Sequence, residues 1–170
     1  MRILGIDPGF ERLGIAVLEK TEGNKKEKVV FSECFKTSAK LEFSERLKLI
    51  GNEVRKIIKE YKPEVLAIET LFLNTNQKTV MRVAEARGVV VYEGARAGLR
   101  IFEASPLQVK VATTGYGRAS KEQVIKMVNI LVDNPVRDRE GSKHISSSNG
   151  IDDELDAIAI ALTAFAHSRS

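Results

Sequence analysis

Four carboxylates stand where a folded chain seldom places acids: Asp7, Glu69, Asp153 and Asp156. Asp7 closes a short apolar run and is followed by Pro8-Gly9, and Glu69 closes a second run, VLAIE. Asp153 and Asp156 lie one helical turn apart and so share a face. They sit on a stretch whose Ile151, Leu155, Ile158, Ile160 and Leu162 must pack on the body of the protein. Acids on packed elements are expensive unless they are paired or hold a cation. Gathered together, they would suit phosphodiester hydrolysis, which needs an activated water, charge neutralisation at phosphorus and a stabilised leaving oxygen. Two Mg²⁺ ions about 4 Å apart can supply all three, and such hard ions take oxygen ligands. Two histidines and one cysteine, scattered along the chain, offer no zinc-ligand spacing.

Each acid also has an ordinary reading. Asp7 could set a turn, and Glu69 could point into solvent from a strand end. Asp152, Asp153, Glu154 and Asp156 could simply favour a helix N-terminus through its dipole. Their joint placement is more informative than any one of them.

The elements that must position these acids follow from periodicity. Strands are expected at Arg2–Ile6, Gly14–Leu18 and Val29–Phe35, joined by short turns as an antiparallel meander. Leu47, Ile50, Val54, Ile57 and Tyr61 recur at helical spacing over 42–61, and Pro63 ends that helix. Val65–Glu69 is a fourth strand, followed by a polar loop around Asn74–Gln77. A long helix spans Lys78–Ala97, although Val89–Val91 leaves its middle open to a strand reading. A fifth strand is expected at Leu99–Glu103. Ser105-Pro106 has the form of a helix start, Thr113–Arg118 reads as a loop, and Ser120 caps a helix over Lys121–Val132. The segment 134–150, rich in Ser, Asn, Gly and charge, reads as a flexible loop before a last helix over Asp152–Ala166. The order β-β-β-α-β-α-β-α-α-α predicts an α/β domain with a five-stranded mixed sheet flanked by helices.

A chain of 170 residues fits one domain with a substantial core. No apolar run approaches the roughly 20 residues that span a membrane, and no signal-peptide layout opens the chain, so the cytoplasm is the expected address. Cys34 stands alone, which excludes an intramolecular disulfide, and is expected as a buried thiol. The net charge of +4 and pI near 9.2 are compatible with a polyanionic partner without requiring one.

GIDPG at Gly5–Gly9, AIE at Ala67–Glu69, EARG at Glu85–Gly88 and DELDAIAIA at Asp153–Ala161 resemble the RuvC family of Holliday-junction resolvases. SPLQVK at Ser105–Lys110 and SKEQV at Ser120–Val124 extend the match, in order, over nearly the whole chain. GIDPG alone is weak, since sugar-kinase and actin-like ATPases carry similar first strands. The resemblance implies an RNase H-like fold over 1–170 and a homodimer dependent on Mg²⁺ or Mn²⁺. It further implies paired, symmetric nicks across a four-way DNA junction during recombination and repair, with a RuvA/RuvB-type branch-migration complex as partner. By motif it assigns Asp7, Glu69, Asp153 and Asp156 as catalytic and metal-binding, and the DxxDA pattern selects Asp153 over Asp152. The small residues Ala84, Ala86, Gly88, Gly94, Ala95 and Ala97 of the long helix would allow a second copy to approach, or would pack on their own sheet.

The same resemblance points to DNA contacts. Phe72 matches a phenylalanine that stacks on an unpaired base, an interaction of about 1–3 kcal/mol per base; the ordinary reading is a core residue. Lys110 and Lys121 match basic positions near the active site; Arg118 in the glycine loop, and Arg82 and Arg87 on the long helix, are weaker candidates. The 134–150 loop, with Arg137, Arg139, Lys143 and His144, is longer than the family leads one to expect. A YqgF-like nuclease acting on RNA, an ATPase of the actin-like class, which would need two such lobes, and a junction-binding protein without activity are the competing readings.

Overall fold

A computed structural model describes residues 1–71, 77–133 and 148–168. Phe72 and most of the 134–150 segment, including Arg137, Arg139, Lys143 and His144, lie outside the described residues. The elements are β1 (Arg2–Asp7), β2 (Arg12–Glu19), β3 (Glu27–Lys36), α1 (Phe43–Tyr61), β4 (Val65–Glu69), α2 (Gln77–Arg96), β5 (Arg100–Ala104), α3 (Pro106–Thr114), α4 (Lys121–Leu131), β6 (Val132–Asp133) and α5 (Ser148–His167). The strands form one mixed sheet in the order β5-β4-β1-β2-β3-β6. β1, β2 and β3 are the expected antiparallel meander, and β4 and β5 add in parallel on the other side. The five expected strands are present, and a two-residue sixth extends the β3 edge where α4 ends.

Two apolar layers hold the sheet. Leu4, Ile6, Leu13, Ile15, Val17, Leu66 and Ile68 pack under α1 and α2. Ile3, Ala16, Leu18, Val65 and Ala67 pack under α5, with α3 and α4 alongside. Strand alternation thus assigns each strand residue to one layer. α2 runs unbroken through Val89–Val91. Its β-branched residues stay helical because Val90 is fully buried and Val89 and Val91 pack on the same core, so tertiary burial outweighs a small propensity deficit.

The caps follow the sequence closely. Ser105 and Ser120 each close a capping box with the glutamine three residues on, and Pro106 opens α3. Thr113 and Thr114 belong to α3 rather than to the loop, and the Thr113 hydroxyl donates to the Val109 carbonyl at 2.7 Å. The larger difference is at α5, which starts at Ser148, four residues before the expected Asp152. Asp153 and Asp156 therefore lie beyond its first turn, where the helix dipole gives acids little support. The dipole reading of these acids does not hold.

Candidate active site

Alternation along β1 turns Ile3, Gly5 and Asp7 toward α5, and along β4 it turns Val65, Ala67 and Glu69 the same way. The two strands are parallel neighbours in the register Ile6↔Ile68, so Asp7 and Glu69 stand side by side where both strands end. α5 crosses close above them. A Cβ on Gly5 would lie 2.2 Å from the Ala157 carbonyl oxygen, and one on Gly14 would lie 2.1 Å from that of Asp153. Only glycine admits α5 at this height, which carries Asp153 and Asp156 to the strand ends. Asp7 and Glu69 border a cleft of about 260 Å³, lined also by Pro8, Thr70, Leu71 and Pro106.

Crowding of like charge shows in the protonation equilibria. Burial, then the carboxylates of Asp156, Glu69 and Asp153, push Asp7 from 3.8 up to about 7, with Lys121 opposing. Burial and then Asp156 push Glu69 from 4.5 up to about 7. Burial also raises Asp156, against the pull of Lys121. Asp152 is absent from the charges acting on Asp7, whereas Asp153 is among them. The Asp153 side chain is 16% exposed and that of Asp152 40% exposed.

Two cations already attend the cluster. Lys121 Nζ reaches Asp156 Oδ2 at 3.1 Å and Asp152 Oδ2 at 3.7 Å. Burial works against its ammonium, yet the Asp156, Asp152 and Asp153 carboxylates carry it above the ordinary lysine value. Arg12 Nε lies 3.2 Å from Asp153 Oδ2, and the Cys34 thiol donates to the same oxygen at 3.3 Å. Among the described residues no three acidic, His or Cys side chains stand as a metal-holding group, and Asp153 and Asp156 are paired with these cations. The donors nevertheless fit a divalent ion in kind. All four are carboxylates, and Asp7 and Glu69 share a buried excess of negative charge that a cation would relieve.

Lys110 is on α3, one turn beyond the cleft-lining Pro106 and on the same helix face. Its ammonium has no ion pair among the described residues. Arg118 is exposed in the turn between α3 and α4. Arg87 is taken up structurally: its guanidinium donates to the Glu69 carbonyl at 3.0 Å and pairs with Glu103, tying β4 to β5. Arg82 lies over the rings of Phe43 and Phe10, at 5.3 and 5.8 Å from their centroids, and not at the acids. Cys34 is half-buried, not the enclosed thiol expected; burial and then its bond to Asp153 push it up to about 12, which leaves it protonated and unreactive.

The family model described as Crossover junction endodeoxyribonuclease RuvC matches residues 3–164. The chain belongs to the RuvC family. It is 42% identical to the crossover junction endodeoxyribonuclease RuvC of Halothermothrix orenii over 95% of this chain and 90% of that one. The RuvC of Alkaliphilus metalliredigens is 44% identical over 99% and 94%. Among solved structures, Thermus thermophilus RuvC in complex with a Holliday junction substrate superposes with a TM-score of 0.83 at 31% identity, covering 99% of this chain and 95% of that one. The architecture is thus the RNase H-like fold of the RuvC resolvases.

Arg12, which pairs with Asp153, is a neighbour of the acids that the sequence reading did not include. The signal was present. Arg12 precedes Gly14, Ala16 and Leu18 by steps of two, and so shares their α5-facing side of β2. Starting the strand at Gly14 hid it. Cys34 pairs with Gly14 across the β2–β3 ladder and reaches Asp153 for the same reason.

Proposed function

We propose that this RuvC-family chain is an endonuclease that resolves four-way DNA junctions by paired, symmetric nicks. The observation that carries the reading is the convergence of Asp7 and Glu69, which border one cleft from adjacent strand ends, with Asp153 and Asp156 of α5, whose charges act on Asp7. Divalent-metal dependence belongs to the family, and the four carboxylates are the residues that would hold the ions, two Mg²⁺ or Mn²⁺ per site. Bound there, such ions supply charge neutralisation at phosphorus and an activated water.

The chain's own side chains do the rest. Half-buried Asp7 and Glu69 hold negative charge where solvent access is reduced, so it attracts a cation more strongly than in open water. Lys121, beside Asp156, is placed to meet a non-bridging phosphate oxygen or to offset charge in the transition state. Lys110, a turn from the cleft, and exposed Arg118 extend the basic surface along which a DNA backbone would run. Phe72, three residues after Glu69, takes the base-stacking role that the family resemblance implies.

Four-way junctions are approximately two-fold symmetric, so a C₂ homodimer would offer one such cleft to each of two opposed strands. α2 supports this. Ala86 and Gly94 pack inward on their own sheet, while Met81, Ala84, Gly88, Tyr92 and Ala95 are exposed in a small and apolar stripe. The chain would work as a single nuclease domain in the cytoplasm, where its DNA lies; among the described residues no helix is long and apolar enough to cross a membrane.

The deciding experiment is cleavage of a mobile four-way junction in Mg²⁺ by wild type and Asp7→Asn. Symmetric nicking by wild type with loss in the variant is expected. An inactive wild type, or equal activity in both, would overturn the reading.

A further inference from the structure

Arg12 differs from the other arginines near the site in how it is held. Arg46 is buried and donates to Thr37 Oγ1 and the Phe10 carbonyl, and Arg87 is fixed at both Glu69 and Glu103. Arg12 is 43% exposed and, among the described residues, its guanidinium has one ion-pair partner, Asp153, whose side chain is only 16% exposed. A single-anchored, solvent-facing cation thus sits on the oxygen of an inner carboxylate. It can leave that oxygen by side-chain rotation alone.

A divalent ion on Asp153 would approach to about 2.1 Å of a carboxylate oxygen, with the guanidinium charge beside it on the same group. The two positive charges repel, and the Coulomb energy at this range is substantial even in a partly solvated setting. A DNA phosphate offers Arg12 an alternative partner, since guanidinium groups bind phosphate with charge-assisted, often bidentate, hydrogen bonds.

We propose that Arg12 is a counterion gate. In the free protein its guanidinium occupies Asp153 and weakens divalent-cation binding; a backbone phosphate that draws Arg12 away releases Asp153 to the cation. Substrate binding and cation loading are thereby coupled, and the coupling is reciprocal. This rests on the metal-dependent nuclease reading above and adds to it the residue that makes loading depend on DNA.

The test is Mn²⁺ binding to the full-length protein, read as free Mn²⁺ by electron paramagnetic resonance. It is run with and without a four-way junction carrying non-hydrolysable linkages. Without DNA, Arg12→Gln should bind Mn²⁺ on the order of tenfold more tightly than wild type. Arg12→Lys, which keeps the charge, should stay near wild type. The tightening that DNA produces in wild type should shrink in Arg12→Gln. Wild-type or weaker Mn²⁺ affinity in Arg12→Gln, or an undiminished DNA effect, overturns the gate. Asp7→Asn binding Mn²⁺ as tightly as wild type would instead remove the metal site itself, so the two failures are distinguishable.

Discussion

Asp7→Asn should make the metal-free protein more stable while it destroys cleavage. Asp7 rises from 3.8 to about 7 in the folded state, burial first and the neighbouring carboxylates after. A folded-state value above the unfolded one means that the native protein holds this proton more tightly than the unfolded chain. Its contribution to stability is therefore complete below about 3.8 and is lost as pH rises through about 7. The rise from 3.8 to about 7, at about 1.4 kcal/mol for each tenfold change in proton affinity, sets a ceiling of about 4 kcal/mol. Asp7 keeps partial access to solvent at the cleft, and relaxation there reduces the effect to about 2 kcal/mol. Asparagine carries no charge at any pH and escapes the penalty. In EDTA at pH 8 the variant should melt higher by roughly 4–8 °C, with most of the gap opening between pH 5 and pH 7. Mg²⁺ should restore the wild type at pH 8 and leave the variant almost unmoved, since a ligand stabilises only the state it binds. Thermal melts across this pH series, with and without Mg²⁺, decide the matter. A variant no more stable than wild type at pH 8, or a gain equally large at pH 5, refutes the account of Asp7 as an uncompensated buried charge.

Lys121→Ala removes the cation 3.1 Å from Asp156; junction cleavage should fall about 100-fold, and if Lys121 meets a phosphate the salt dependence of binding should flatten by about one unit of slope. Unchanged cleavage across a salt series would take Lys121 out of the site. Gly14→Ala places a methyl group against the Asp153 carbonyl. Forcing α5 away should cost about 1–3 kcal/mol in a denaturant melt, with turnover depressed about 100-fold by misplacement of Asp153; a full-rate enzyme would show that the close approach is not required. Gly88→Glu has open space around it, so the fold should tolerate it, while a charge in the α2 stripe should move a dimer toward monomer in sedimentation velocity. An unchanged sedimentation coefficient would place the dimer interface elsewhere.

Much of this architecture is legible in the sequence because both layers of the sheet carry period-two patterns. Ile3-Gly5-Asp7 and Val65-Ala67-Glu69 each end an α5-facing row in an acid. The caps at Ser105 and Ser120 are legible for a local reason, since a serine with a glutamine three residues on, and at α3 a proline in the first turn, need no tertiary context. What the sequence conceals is tertiary. Ser148 begins α5 inside a segment whose composition reads as loop, because the helix is stabilised by apolar contacts from Ile151 onward and not by its own first turn. The valine run in α2 is helical for the same kind of reason.

The Asp152/Asp153 choice shows where local pattern stops and packing begins. Adjacent helical residues differ by about 100° in direction, so one of the two must face the sheet and the other must not. Spacing alone cannot say which, for it depends on how α5 is rotated about its own axis. Gly5 and Gly14 set that rotation, since the Ala157 and Asp153 backbone carbonyls occupy the space their missing side chains leave. With those two contacts made, Asp153 meets Arg12, Cys34 and the field of Asp7, and Asp152 is left at the rim with Lys121. Two glycines on the sheet thus select which aspartate on the helix joins the acidic cluster. By the same contacts they bring Asp153 within reach of Arg12, the cation with which a metal at this site would share that carboxylate.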